Sequence, residues 1–230
     1  MTVGGKLIQP YHISPTGFAG LYAWYEPLDS FTITKDANNF VSECRDKSGN
    51  NLHLTQTVAS KQPIANSEGL LFDNVNDGMI NEDFTLTQPF TSISVWKITA
   101  TRAVAQFCFS NRIGGATEQV ILDYFNTNQN IRMYAGAQAN AYLKTGGNLD
   151  FIINSVVWNG TSSEIYENNV SKGTVSPGTN PITGLTLGNF FDYSRPLHGT
   201  IAEQLFYNRV LNPEEINQLV EYLNSKHNVY

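Results

Sequence analysis

The chain has 230 residues, of which 41% are hydrophobic and 15% charged, and its formal net charge at pH 7 is −6. This length suits one large folded domain, and the low share of charged residues favours a surface rich in uncharged polar side chains. Nucleic-acid binding needs clustered lysine and arginine, and the sequence has no basic tract, so we expect no nucleic-acid partner. No apolar run reaches the roughly 18 residues of a membrane span, which predicts no membrane insertion.

Residues 1–15 contain one lysine and no apolar core of the kind that a signal peptide carries. With Gly4, Gly5, Pro10 and two further breakers, residues 1–18 are expected to form an arm or an edge strand, and residues 19–230 the domain. The cysteines Cys44 and Cys108 lie in separate apolar surroundings. They are predicted to be buried free thiols, with a disulfide as the alternative.

Short strand signals run through the chain, separated by Gly, Asn, Asp and Pro. They predict strands at 20–26, 30–40 (with a turn at 36–39), 41–51, 52–58, 69–72, 90–99, 104–109, 120–125, 131–134, 151–158 and 164–166. Asn159-Gly160 predicts a two-residue hairpin turn of type I′, and Asn168-Asn169 a second such turn. Many short strands without an internal repeat or βαβ alternation predict an all-β antiparallel sandwich or jelly roll.

The C-terminal segment predicts a buried strand followed by a short helix. Residues 201–207 are apolar and aromatic, as in a buried strand. Asn212 suits the N-cap and Pro213 the first helical position, and two glutamates follow at the positive end of the helix dipole. One apolar face is formed at i, i+3, i+4 and i+7 by Ile216, Leu219, Val220 and Leu223.

Several motifs occur together in one order. They are GLYAWYE from Gly20, RDKSGN from Arg45 with KQP from Lys61, GLLFDNVNDG from Gly69, SISVW from Ser92, VVWNGTSSEIYENN from Val156, and YNRVL from Tyr207 before the helix. On these motifs the chain from Gly20 onward resembles concanavalin A-like domains of the laminin-G-like type, in bacterial and bacteriophage proteins that include virion and tail components. The resemblance implies a concanavalin A-like jelly roll with a C-terminal helix. Cys44, where the family more often has Trp, and Asn74, where it usually has Gly, depart from the pattern.

Glucanases share this fold, yet the carboxylates lack the spacing of a glycosidase pair. Retaining glycosidases need two carboxyl groups roughly 5–5.5 Å apart. Glu164 and Glu167 are three residues apart, which predicts opposite faces of a strand. Glu203 has no carboxylate two residues away, and we expect turn N–H groups to hold it. The sequence therefore predicts no catalytic residues and no enzymatic activity.

A cluster of oxygen-bearing side chains follows residue 72 and has two interpretations. Calcium prefers such ligands in flexible loops, and the predicted site consists of Asp73, Asn76 and Asp77, with Asp46 joining from a neighbouring loop and Asp192 as a further candidate. Alternatively these residues build a tight turn through side-chain-to-backbone hydrogen bonds, which is the interpretation that a motif of this length favours.

Carbohydrate binding needs exposed aromatic rings for the apolar sugar face and polar groups for the hydroxyls. The candidates are Tyr124, Tyr134 and Tyr142 in the middle strands and Phe190, Phe191, Asp192 and Tyr193 in the loop before Arg195. Alternatively, the paired phenylalanines plug the sandwich end or contact another subunit. Trp24, Trp96 and Trp158 lie within strands and are expected in the core.

The expected function follows from the resemblance and the missing carboxylate pair. We expect a non-enzymatic structural protein of a bacteriophage virion, such as a capsid decoration, head-fibre or tail-associated component. It would bind host-surface carbohydrate, take calcium as its one candidate cofactor, and contact other virion proteins through the N-terminal arm or form a homo-oligomer. The alternatives are an architectural subunit without glycan binding and a glycan hydrolase or lyase with non-standard catalytic residues.

Overall fold

The computed structural model describes residues 2–3, 6–7, 13–100, 102, 104–113, 119–125, 130–144 and 150–230. Its strands are β1 (Thr2–Val3), β2 (Lys6–Leu7), β3 (Leu21–Tyr25), β4 (Ile33–Lys35), β5 (Val41–Cys44), β6 (Leu54–Thr55), β7 (Ile64–Asn66), β8 (Gly69–Asp73), β9 (Met79–Leu86), β10 (Phe90–Ile98), β11 (Gln106–Asn111), β12 (Val120–Phe125), β13 (Asn130–Ala135), β14 (Gln138–Leu143), β15 (Ile152–Trp158), β16 (Ser163–Glu167), β17 (Val170–Val175), β18 (Ile182–Leu187) and β19 (His198–Tyr207). Helix α1 spans Pro213–His227. Among the described residues, no helix combines the length and apolarity that crossing a membrane requires.

Two antiparallel sheets form a sandwich. The eight-stranded sheet has the order β17-β16-β15-β10-β19-β8-β7, and β3 also pairs with β19. The nine-stranded sheet has the order β14-β13-β12-β11-β18-β9-β6-β5-β4, and β1 and β2 form a separate ladder. The prediction of an all-β, concanavalin A-like antiparallel sandwich with a C-terminal helix is confirmed.

The main core lies between the two sheets and follows from alternation along the strands. In β12, for example, Val120, Leu122 and Tyr124 join the main core, whereas Ile121 belongs to a separate cluster on the opposite face. Trp96 and Trp158 lie in the main core, as predicted. Because both faces of the eight-stranded sheet are covered, its central strands β10, β15 and β19 are buried along almost their whole length.

Helix α1 covers the other face of the eight-stranded sheet. The Asn212 side chain accepts a hydrogen bond from the Glu215 N–H at 3.0 Å, and the Glu215 carboxylate accepts one from the Asn212 N–H at 2.9 Å, which forms a capping box. The predicted apolar face packs on a second cluster that includes Trp24, Val95 and Leu205. Each buried side chain of this apolar helix face contributes about 1.5–3 kcal/mol to folding. The predicted helix is confirmed.

Residues 13–18 pack on the same second cluster. The Phe18 side chain is buried in it, Ile13 contacts it, and the Tyr207 hydroxyl donates to the Pro15 carbonyl at 3.0 Å. Apart from the short β1–β2 ladder, the rest of the predicted arm lies outside the described residues.

Several local expectations differ from the structure, and strands β7, β14, β17 and β18 were not predicted. Strand β9 was not predicted, because its polar run Asn81-Glu82-Asp83 breaks the alternation at a β-bulge. The strand expected over 52–58 is only Leu54–Thr55. The prediction of a two-residue turn at Asn159-Gly160 is wrong, because Asn159 has a φ of −148° and residues 160–162 form a 3₁₀ turn. Bonds between Ser163 Oγ and the Asn159 N–H and Gly160 carbonyl, both 2.8 Å, stabilise the longer loop.

Two other local predictions are confirmed. Asn168 and Asn169 have φ angles of 49° and 66°, as a type I′ turn requires. Cys44 and Cys108 are free and buried. Burial raises the pKa of the Cys108 thiol to about 12, so this thiol stays protonated and packs as a small apolar side chain.

Candidate functional site

The face of the nine-stranded sheet that points away from the core, here called the outward face, is crossed by residues 189–195, here called the crossing loop. Ser110 on β11 and Thr186 on β18 alternate with core residues and therefore point outward, yet both are completely buried. The Ser110 hydroxyl donates to the Asn189 carbonyl at 3.1 Å. The crossing loop thus lies on the centre of the outward face and divides it into two halves.

The crossing loop is held by its own first residue and by the turn after β8. Asn189 Oδ1 accepts the N–H groups of Phe190 and Arg195, at 2.8 and 3.1 Å, and Asn189 Nδ2 donates to the Asp77 carbonyl at 2.8 Å. The Tyr193 hydroxyl accepts from Gln56 Nε2 at 3.1 Å. The structure therefore brings together the two clusters that the sequence analysis treated as separate candidates for metal and carbohydrate.

Tyr193 anchors the crossing loop. Its φ of 64° turns the backbone back, its ring lies against Gly78, and the Lys61 ammonium is 3.8 Å from its ring centroid. The Arg112 guanidinium lies 5.7 Å from the same ring. Since cations and the Gly78 backbone surround this ring, it offers less free surface to a sugar than the sequence suggested. Asp192 is exposed, and its carboxylate accepts the Ser194 N–H at 2.9 Å.

On one side of the crossing loop, the outward face carries aromatic rings. Phe125, Tyr134 and Phe190, here called the aromatic patch, are partly exposed and pack over buried Phe107 and Ile121. The ring centroids of Phe107 and Phe190 are 5.1 Å apart in an edge-to-face arrangement. Phe191 is half-buried, and its ring centroid lies 4.4 Å from that of Phe190. Tyr134 and Phe190 were predicted candidates, and the structure places them in one patch.

A buried ion pair lies beside the aromatic patch. Asp123 on β12 and Arg132 on β13 are directly opposite each other in the ladder, and two hydrogen bonds of 2.8 and 2.7 Å join them. The Arg132 guanidinium also lies 4.1 Å from the Phe125 ring centroid. Burial raises the pKa of Asp123 to about 6, although Arg132 opposes this shift. The sequence analysis did not predict this pair. The signal that could have indicated it is a single charged residue in the middle of each of these two apolar strands.

Two tyrosines of the middle strands point inward. Tyr124 is 1% exposed in the main core, so it presents no ring face to a ligand, which corrects its prediction as a carbohydrate-binding residue. Tyr142 packs against the same core, and its hydroxyl accepts from Asn154 Nδ2 at 2.9 Å. Only Tyr134, one position out of phase with the inward residues of β13, points outward.

The turn that follows β8 uses its carboxylates internally. Asp77 Oδ2 accepts the Asp73 N–H at 2.9 Å, and Asp73 Oδ1 accepts the Val75 N–H at 2.8 Å. Asn76 is half-buried in the same turn. Burial, with the neighbouring charge of Asp73, raises the pKa of Asp77 to about 7. These bonds match the tight-turn interpretation, in which side chains satisfy backbone N–H groups.

Asp46 does not join this turn, which corrects the predicted ligand set. Its carboxylate accepts the N–H groups of Trp24, Ser48 and Leu52 at 2.8–3.2 Å and so closes its own loop beside β3. In the described part of the chain, no three His, Cys, Asp or Glu side chains are grouped to hold a metal ion. Asp73 and Asp77 alone supply too few of the 6–8 oxygen ligands that calcium takes. Calcium binding is untested and stays a prediction.

Asp77→Asn is expected to flatten the pH dependence of folding. The native state holds a proton on Asp77 up to about pH 7, whereas an unfolded Asp loses it near 3.8. The wild type therefore loses stability as pH rises between these values, by at most about 4 kcal/mol. Asn keeps an oxygen for the Asp73 N–H and does not titrate. Urea unfolding at pH 4.5 and 7.5 measures the difference, and equal pH slopes in both proteins would contradict the assignment.

Glu203 is held differently from the sequence expectation. Its carboxylate accepts the Trp24 indole N–H at 2.7 Å and contacts Lys226 at 2.6 Å and His227 at 2.7 Å. The partners are therefore side chains of β3 and α1, not turn N–H groups. The group lies under α1 on the sheet opposite the outward face, which assigns it to the attachment of the helix.

No protein-family model and no curated protein matches the chain. Solved structures match its fold. A Trypanosoma rangeli sialidase has a TM-score of 0.65 at 18% identity, over 92% of this chain and 34% of the sialidase. A mutant GH54 α-L-arabinofuranosidase has a TM-score of 0.60 at 16% identity, over 79% of this chain and 50% of the enzyme. Domain 4 of AbnA, a GH43 extracellular arabinanase from Geobacillus stearothermophilus, in complex with arabinotriose, has a TM-score of 0.59 at 16% identity, over 87% of this chain and 98% of that domain.

These neighbours are glycoside hydrolases or a domain of one, and this chain spans about a third of the length of the sialidase. They contradict the expectation of a non-enzymatic virion protein, since all three come from carbohydrate-active enzymes and none is a virion component. At identities of 16–18%, the likeness shows the fold and does not specify a reaction. The chain therefore has a concanavalin A-like β-sandwich fold, which it shares with these glycoside hydrolases.

Proposed function

We propose that this chain is a carbohydrate-recognition sandwich, of the laminin-G-like type, that serves glycoside hydrolysis. The observation that carries the proposal is the aromatic patch beside the Asp123–Arg132 pair. Partly exposed rings of Phe125, Tyr134 and Phe190 lie within one continuous cluster on a sheet face that no helix covers in the described part of the chain.

The chemistry of the patch suits a sugar. A ring face excludes water from the apolar C–H face of a pyranose or furanose, and nearby charged groups accept or donate hydrogen bonds to its hydroxyls. Arg132 is held rigid by two bonds to Asp123 and by Phe125, so little side-chain entropy is lost when a ligand binds. The neighbours support the same class of ligand, since the AbnA domain was solved in complex with arabinotriose and the sialidase in complex with sialic acid.

Tyr134→Ala and Phe190→Ala are each expected to weaken oligosaccharide binding about tenfold, or about 1.4 kcal/mol, because each removes one stacking face. The measurement is calorimetric titration with the best ligand from a panel of arabinan, sialylated and other oligosaccharides. Phe31→Ala is the control, because Phe31 is an 89% exposed ring in a turn far along the chain from the patch residues.

Near-equal melting temperatures for the three variants show that the fold is intact. Either of two outcomes would refute the proposal: no member of the panel binds, or both patch variants bind as the wild type does. Hydrolysis is tested separately, by incubating each panel member with the purified chain and analysing the products.

A further inference from the structure

The other half of the outward face holds a polar groove, formed between residues 51–55 and residues 80–83. Its volume is about 430 Å³, within the range of roughly 300–1,000 Å³ for small-molecule sites. It lies on β6, the residues just before β6, and β9. The aromatic patch lies on β12, β13 and the crossing loop, so the body of the crossing loop separates the groove from the rings of β12 and β13. No residue of the groove takes part in the function proposed above.

A β-bulge places two acidic side chains in this groove. Thr85 of β9 pairs with Thr183 and Asn81 pairs with Leu185, so three residues of β9 oppose Gly184 alone. Gly184 has a φ of 62°, and a Cβ there would lie 2.6 Å from the Arg112 Cβ, so the bulge depends on glycine. Regular alternation would turn one of Glu82 and Asp83 inward, but both are exposed and both line the groove.

The charges in the groove are not balanced. Arg112 approaches Glu82 at 3.7 Å, and within the described ranges this is the one ion pair that involves either carboxylate. Arg112 also donates to the Phe191 carbonyl, which holds it at the crossing loop. The groove therefore has two carboxylates and one shared cation, and its electrostatic potential favours a cationic group.

The other polar groups of the groove suit a hydroxylated ligand. His53 Nδ1 accepts the Asp46 N–H at 3.0 Å, which fixes the ring and leaves Nε2 as its second polar atom. Asn81 Nδ2 donates to the His53 carbonyl at 2.8 Å and holds the two walls together. Thr55 and Asn51 add a hydroxyl and an amide. These groups offer several hydrogen bonds without a stacking ring.

We propose that the groove binds a sugar residue that carries a free amino group, with Asp83 and Glu82 contacting the ammonium and His53, Thr55 and Asn51 contacting the hydroxyls. The inference rests on the proposed function in taking a glycan as the ligand class, and it adds a second site with its own specificity. A residue with an N-acetyl group or a carboxylate is disfavoured, because it brings no positive charge to the unbalanced carboxylates.

The test compares two probes, the fully deacetylated β-1,4-glucosamine hexamer and its N-acetylated counterpart, by calorimetric titration at pH 6 and constant ionic strength. We expect the wild type to bind the deacetylated hexamer at least tenfold more tightly. Asp83→Asn should remove most of this preference, and Glu82→Gln part of it. Glu221→Gln, on the exposed face of α1, makes the same change of charge away from the groove and should leave the preference intact.

Equal affinity for the two hexamers, no binding of the deacetylated hexamer, or a preference that survives in the Glu82→Gln/Asp83→Asn double variant would each overturn the inference. The outcome is separable from that of the proposed function. If Tyr134→Ala and Phe190→Ala lose binding and the wild type shows no amine preference, the proposal for the patch is supported and that for the groove is refuted. If the wild type prefers the amine and only the groove variants abolish that preference, while the patch variants bind as the wild type does, the proposal for the groove is supported and that for the patch is refuted.

Discussion

Glu203→Ala is expected to lower the free energy of unfolding by about 3–5 kcal/mol, because it removes one partner of a buried ion pair and leaves the other partners in place. The Glu203 side chain is completely buried between the Trp24 indole and the Lys226 and His227 side chains. Without the carboxylate, the indole N–H loses its acceptor. Among the described residues, Lys226 then keeps one carboxylate partner, Glu26, which Lys47 shares at 2.6 Å.

The Glu203 group also predicts how stability depends on pH. Burial is the largest single influence on the pKa of Glu203 and raises it. The hydrogen bonds and charges of His227 and Lys226 together outweigh burial and lower this pKa below its ordinary value of 4.5. Its contribution is therefore complete above about pH 4.5 and is lost as pH falls through the lowered value. Burial lowers the pKa of Lys226, but the charges and hydrogen bonds of Glu203 and Glu26 outweigh burial and raise this pKa above 10.5. The contribution of Lys226 to stability therefore persists to alkaline pH.

Urea unfolding at pH 7 measures the loss in Glu203→Ala, and Glu221→Ala, an exposed glutamate on the same helix, is the control. We expect the control to change stability by about 0.5 kcal/mol or less. Glu203→Gln keeps an acceptor for Trp24 and should fall between the wild type and Glu203→Ala. A loss below about 1 kcal/mol in Glu203→Ala would show that α1 does not depend on this group.

Arg132→Ala is expected to lower the free energy of unfolding by about 3–5 kcal/mol as well, because Asp123 stays buried, 4% exposed, without its cation. The Asp123→Ala/Arg132→Ala double variant should lose less than the sum of the two single variants, since neither charge is then left unpaired. Arg45→Ala is the matched control. Arg45 also forms an ion pair with a carboxylate, that of Glu43 at 2.7 Å, but this pair lies at the surface. That pair is expected to contribute 0–1 kcal/mol.

A double-mutant cycle measured by urea unfolding tests this prediction. Strict additivity would mean that Asp123 and Arg132 do not stabilise the outward face as a pair. Oligosaccharide binding by the folded variants adds a functional readout, because Arg132 lies against Phe125 of the aromatic patch. Loss of stability together with loss of binding is the expected result.

The crossing loop shows why several residues of the candidate site could be predicted from the sequence, whereas the contacts between them could not. Phe190, Tyr193 and Asp77 were all singled out, since aromatic and acidic residues in loops are typical of binding sites. The contacts that relate them join residues more than a hundred positions apart, such as Asn189 with Asp77 and Gln56 with Tyr193. Neither contact leaves a periodic signal in the chain, so local patterns could not separate an anchoring tyrosine from a stacking one.

The sequence by itself determined the all-β class, the capped C-terminal helix and the type I′ turn at Asn168-Asn169, because each depends on alternation, capping or backbone preference within a few residues. Only the tertiary structure decided that Tyr124 points inward and Tyr134 outward, that Asp123 meets Arg132, and that a bulge in β9 turns two carboxylates to one side. The register between distant strands sets these three features. A shift of one residue exchanges the two faces of a strand, and nothing local in the chain specifies that register.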